Sequence, residues 1–178
     1  MKSFALLVLF SAQATSTFAQ SVPNRQKFIC NTGYTEQQCH RQIHALRPVL
    51  DKFHADALGE WTWILVRSED WRPLMYRFRA NPDSPAITFL KERTTLFEEA
   101  LIAPTPDRQA ELLKNWGRAV DQLLEEAVSH ELGHSFCNDS DEAKAEYRAR
   151  KLQRGERVSC SGSKEGPSRA KIGAGFQP

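Results

Sequence analysis

An apolar stripe that ends in a pair of histidines sets the strongest limit on how this chain folds. Leu112, Leu113, Trp116, Val120, Leu123, Leu124, Ala127 and Val128 recur at helical spacing and lead directly into His130-Glu131-Leu132-Gly133-His134. Thr105-Pro106-Asp107 opens the stripe with a capping hydroxyl, a proline at the first helical position and an acid near the positive end of the dipole. Gly117 costs about 1 kcal/mol in a helix interior, which predicts a break there and two helices in place of one. On a helix, residues four apart lie about 40° apart around the axis, so His130 and His134 project from one face.

That spacing lets two imidazoles meet one zinc ion at about 2.0–2.1 Å. Glu131 is rotated from them by about 100°, close to such a metal but off the ligand axis. There it is the candidate general base, able to deprotonate a water that zinc has brought to a pKa of about 7.

A catalytic centre of this kind needs a third protein ligand and an open position. The third histidine of the metzincins is absent: Ser140 stands in its place, and Cys137 replaces their glycine. The run Glu142-Ala143-Lys144-Ala145-Glu146 is instead similar to the gluzincin pattern of thermolysin-like enzymes, a form that recurs in short single-domain gluzincin-like peptidases. The resemblance covers roughly Ala119 to Arg150. It implies that Glu142 is the third zinc ligand and that Glu146, four residues on, hydrogen-bonds a liganding histidine. Two departures keep Glu146, Asp139 and Asp141 open as alternative ligands. Seven residues separate His134 from Glu142 where thermolysin has a longer connection, and Glu146 stands where an aspartate is usual. A turn at Asn138 to Ser140 can fold the second helix back across the first. Asn138 suits a left-handed helix end, and Asp139-Ser140 can cap a helix from Asp141 to about Arg150.

Other candidates carry less chemistry. Cys137 lies on the ligand face and could bind zinc as a thiolate in a reducing site. His40 and His44 repeat the four-residue spacing without a following acid and read as surface or structural. Trp61, Trp63 and Trp71 read as core packing in preference to a substrate cleft. Tyr147 is a candidate donor to a tetrahedral oxyanion, with packing as its ordinary role.

The N-terminal residues read as a leader outside the fold. Lys2 supplies a positive start, Phe4 to Phe10 is apolar, and small residues follow, so residues 1–19 are expected to be a signal peptide cleaved after Ala19, with Ala14 the other site. Seven apolar residues are too few to span a bilayer core about 30 Å thick. A secreted or periplasmic chain places its four cysteines in an oxidising compartment. Three pairings are possible; closeness in sequence favours Cys30 with Cys39 and Cys137 with Cys160.

Between these landmarks Ser21 to Gly33 reads as irregular, and Thr35 caps a helix running to about His54. Trp61 to Val66 is a buried strand and a short helix starts near Trp71. Asn81 to Pro85 is a turn cluster, Ala86 to Leu90 is ambiguous, and Thr94 to Phe97 reads as a second strand, with an exposed position as one alternative. Residues 20–154 are then the catalytic domain and 155–178 a flexible tail held at Cys160. With 40% apolar and 26% charged residues the chain is globular, and a net charge of +2 gives no basis for a nucleic-acid partner. The expectation is an α+β fold of zincin type, a small sheet packed on helices with the HExxH helix under the cleft. Its function would be hydrolysis of peptide bonds in a peptide or protein substrate. The rival readings are a catalytically silent zincin-fold binding or inhibitory protein, and an exported helical scaffold.

Overall fold

The computed structural model describes residues 25–117 and 119–160. The expected leader, and the tail beyond Cys160, lie outside the described residues. The architecture is α+β, a four-stranded sheet with helices on both faces. Strands β1 (Gln26–Cys30), β2 (Trp61–Val66), β3 (Ala86–Phe89) and β4 (Thr94–Glu98) take the order β1-β2-β4-β3. β1, β2 and β4 are parallel, and β3 is antiparallel to β4 at one edge.

Period-two alternation sorts the strand residues between two apolar clusters. Trp61, Trp63, Leu65, Ala86 and Phe97 face the larger one, with α1 (Glu36–Lys52), α3 (Glu99–Ile102) and α5 (Val120–Ser135). Ile64, Val66, Leu96, Ile87 and Phe89 face the smaller one, built on Trp71 and Met75 of α2 (Ser68–Phe78). The three tryptophans are core residues, 0–3% exposed.

Local signals explain most boundaries. Thr35 and Gln38 form a reciprocal capping box at the start of α1. Gly117 adopts φ +65° and separates α4 (Pro106–Trp116) from α5, as its helical cost predicts. Asn138 takes φ +48° after α5.

Several expectations need correction. Ser21 to Gly33 is not wholly irregular, because Gln26–Cys30 pairs along its length with β2. The ambiguous segment is strand β3, and the strand from Thr94 is buried in the sheet interior between β2 and β3. α2 starts at Ser68, three residues before Trp71. The cap of α6 (Glu142–Gln153) is Asp141, whose carboxylate accepts from the Lys144 N–H, and not the Asp139-Ser140 pair. Leu113 is exposed, off the buried stripe; the side chains of Leu112 and Trp116 lie outside the described set.

Both disulfides pair as sequence closeness suggests: Cys30–Cys39 with Cα atoms 5.8 Å apart and Cys137–Cys160 at 5.2 Å. The second pins Cys160, after the irregular stretch that follows α6, to the end of α5. No helix among the described residues is long and apolar enough to cross a membrane.

Candidate metal centre

The histidine pair occupies the last turns of α5, the buried helix beneath β3, while α6 folds back across it. Gly133 makes that crossing possible. A Cβ at this position would lie 3.1 Å from both the Cα and the carbonyl carbon of Ala145, and nearer still to its oxygen. The lack of a Cβ at Gly133 lets the backbone at Ala145 approach so closely, and this brings the first turn of α6 over the histidines.

Three donor atoms converge as a result. His130 Nε2 is 3.2 Å from His134 Nε2 and 3.1 Å from Glu142 Oε2, and His134 Nε2 is 3.5 Å from the same oxygen. Donors about 2.0–2.1 Å from a tetrahedral centre are separated by roughly 3.3–3.4 Å, so the triangle matches one face of such a site. The tautomer of His134 agrees. Its Nδ1 lies 2.8 Å from the Asp139 carbonyl oxygen, which can only accept, so Nδ1 carries the proton and Nε2 presents its lone pair inward. Two imidazole nitrogens and a carboxylate oxygen form a group that can hold a metal ion. The Glu142 side chain is 78% exposed, which leaves the solvent side of the group open.

A second layer holds these donors. Arg148, itself buried, donates to the Gly133 carbonyl at 3.2 Å and to the Asp139 carboxylate at 3.0 Å. Asp139 also accepts from Lys144 Nζ and from the Asp141 N–H. The Asp141 N–H, followed by Arg148, holds the Asp139 carboxyl down at about 2. Asp139 therefore contributes its carbonyl to His134, with its carboxylate occupied elsewhere, and Asp141 serves as a helix cap. Glu146 Oε2 is 3.7 Å from His130 Nδ1, on the far side of that ring from Glu142. Of the acids left open by the sequence, Glu142 is the one grouped with both histidines.

Glu131 is buried beside the group and lines a cleft of about 320 Å³ together with His130, His134, Glu142, Ser140 and residues of β3. Burial pushes its carboxyl upward; a Thr88 hydrogen bond and the two histidines act in the opposite direction, and Glu142 adds to the rise. Tyr147 is exposed, with Lys151 Nζ 4.9 Å from the centre of its ring, and is not among the residues lining the cleft. His40 is exposed on α1, with Glu36 Oε1 at 3.8 Å, and His44 lies one turn further along that helix. Cys137 is bonded to Cys160 and is not a thiolate donor.

Sequence reasoning missed Arg148, the close approach at Gly133, and Thr88. A glycine retained inside a helix, at a cost of about 1 kcal/mol, was a readable sign of backbone contact. Nothing local marked the other two. No protein-family model matches this chain, and no curated protein matches it significantly.

Proposed function

We propose that this chain is an exported zinc metallopeptidase of gluzincin type, with a zincin-like fold, that hydrolyses peptide bonds. The observation that carries the reading is the triangle of His130 Nε2, His134 Nε2 and Glu142 Oε2 at tetrahedral spacing beside the buried carboxylate of Glu131. The donor set of two imidazoles and one carboxylate, with a side open to the cleft, is that of a hydrolytic zinc site. Zinc, when bound, supplies Lewis acidity toward the scissile carbonyl and toward the attacking water.

The chain's own residues do the rest. Glu131 takes a proton from the attacking water as its oxygen adds to the carbonyl carbon. It then delivers that proton to the amine nitrogen as the C–N bond breaks, leaving a carboxylic acid and an amine, which become carboxylate and ammonium by proton transfer between them. A carboxyl whose basicity is raised by burial suits this shuttle. Glu146 and the Asp139 carbonyl orient the two imidazoles from behind.

The edge strand supports a peptide substrate. β3 borders the cleft, and among the described residues no strand pairs with its outer edge. Glu98 N–H donates to the Pro85 carbonyl. By antiparallel alternation, the main-chain groups of Thr88 then point away from β4, toward the free edge. An extended peptide adding there as a fifth strand would run past the metal group. Two disulfides are compatible with an exported chain.

The test is a diverse peptide library incubated with zinc-loaded protein, with Glu131→Gln as blank. Cleavage by the wild type alone is expected. Equal inertness of the two would transfer the fold to the binding or inhibitory reading.

A further inference from the structure

Glu131 is reached from the sheet by a chain of hydroxyls. Thr88 of β3 and Thr95 of β4 stand directly opposite one another, on the face that packs against α5, with hydroxyl oxygens 2.8 Å apart. Trp61 Nε1 lies 3.1 Å from Thr95 Oγ1. At the other end Thr88 and Glu131 line the same cleft, where the Thr88 hydroxyl favours the ionised form of the Glu131 carboxyl.

The direction of the chain follows from its first member. An indole N–H only donates and a hydroxyl carries one proton. Thr95 Oγ1 accepts from Trp61, so within the chain its own proton goes to Thr88 Oγ1. The Thr88 proton is left for the Glu131 carboxylate. Thr95 is fully buried and Trp61 nearly so, so water does not substitute for the Trp61–Thr95 step. Threonine is stiff about χ1, and both hydroxyls are carried on paired strands. A glutamate on a helix has three rotatable bonds, and a fixed donor opposite its carboxylate removes that freedom.

We propose that Trp61, Thr95 and Thr88 form a positioning relay that holds the Glu131 carboxylate toward the metal group. Thr88 and Thr95 are positioning residues; they act through Glu131. The inference rests on the reading of Glu131 as general base, and adds that the strand offered to substrate also aligns the base. Thr88 does both, through different atoms. Its main chain faces the free edge and its side chain faces Glu131, so the side chain can be changed without removing the docking edge.

The experiment uses the full zinc-loaded chain and a peptide it cleaves. Thr88→Val should lower kcat by about 10–100-fold, the scale of a lost hydrogen bond to a charged group, with KM and zinc content unchanged. Thr88→Ser, which restores the hydroxyl, should recover most of the loss. A second arm needs no activity: the indole N–H resonance of Trp61 in zinc-free protein, assigned with Trp61→Phe. It should move in Thr88→Val and in Glu131→Gln, and return toward the wild-type position in Thr88→Ser, because hydrogen-bonded chains polarise along their length. An unchanged kcat in Thr88→Val, a loss that serine does not rescue, or an indole resonance indifferent to Thr88 and Glu131 would overturn the relay. A wild type as inert as Glu131→Gln removes the general-base reading, and the indole arm alone then decides whether the relay exists.

Discussion

Replacing Gly133 with alanine tests whether the α5–α6 approach builds the metal centre. The added methyl would sit 3.1 Å from the Cα and carbonyl carbon of Ala145. Carbon–carbon contacts are most favourable at about 3.5–4.0 Å, so α6 must withdraw by roughly 0.5–1 Å. Glu142 rides on the first turn of that helix, and its Oε2 lies 3.1 and 3.5 Å from the two histidine nitrogens. The same shift stretches the 3.2 Å bond from Arg148 to the Gly133 carbonyl past hydrogen-bond range. For stability the terms oppose each other. Alanine returns about 1 kcal/mol of helix propensity, overpacking costs about 1–3 kcal/mol, and the lost hydrogen bond costs about 1 kcal/mol. The net expectation is a loss of about 1–3 kcal/mol in urea unfolding of the zinc-free protein. Zinc affinity, measured by competition with a chelator, should fall by about 10–100-fold, because a ligand and its support are displaced together. A Gly133→Ala protein that is more stable by about 1 kcal/mol and binds zinc as the wild type does would refute the reasoning.

The remaining predictions concern the ligands, the loop that supports them and the covalent frame. Glu142→Ala should abolish tight zinc binding, whereas Glu146→Ala should weaken it by about 10–100-fold; the reverse ranking would show that the two acids exchange roles. The Asp141 N–H and the Arg148 guanidinium hold the Asp139 carboxyl down at about 2, below its ordinary value of 3.8. It therefore contributes stability that is fully present above about pH 4 and is lost as pH falls through about 2. Asp139→Asn should be less stable than wild type at pH 6 and show a shallower acid decline between pH 4 and 2 in thermal unfolding, whereas parallel curves would remove this role. Replacing Cys137 and Cys160 together by serine opens a loop of 23 residues. By the chain-entropy estimate this costs about 3 kcal/mol, and an unchanged denaturation midpoint would contradict it.

What was legible in the sequence was local. The Thr35 cap, the Gly117 break, the Asn138 turn and the aromatic and β-branched content of Trp61–Val66 are short-range physics, and all appear where residue type requires them. The ligand pair was legible because a helix converts four-residue spacing into proximity. Strand order was not legible. Thr94–Glu98 carries no mark saying that β3 and β2 flank it, so its place in the sheet interior depended on partners distant in sequence. β1 was hidden because Gln26 and Lys27 mask the inward pair Phe28 and Cys30 in a five-residue segment. Asp139, Ser140 and Asp141 are all competent caps, and the choice of Asp141 came from the tertiary demand on Asp139 by Arg148. Thr88 lay in the ambiguous segment and Thr95 in an expected strand; only the antiparallel register sets their hydroxyls together.

The most direct test of the metal centre is the zinc content of the purified chain, read with its zinc K-edge absorption spectrum. Expected is one zinc per chain, with nitrogen and oxygen neighbours at about 2.0–2.1 Å, the scattering signature of two imidazoles, and loss of the metal in Glu142→Ala. A sulfur neighbour at about 2.3 Å, or a folded chain that takes up no zinc with His130 and His134 intact, would contradict it.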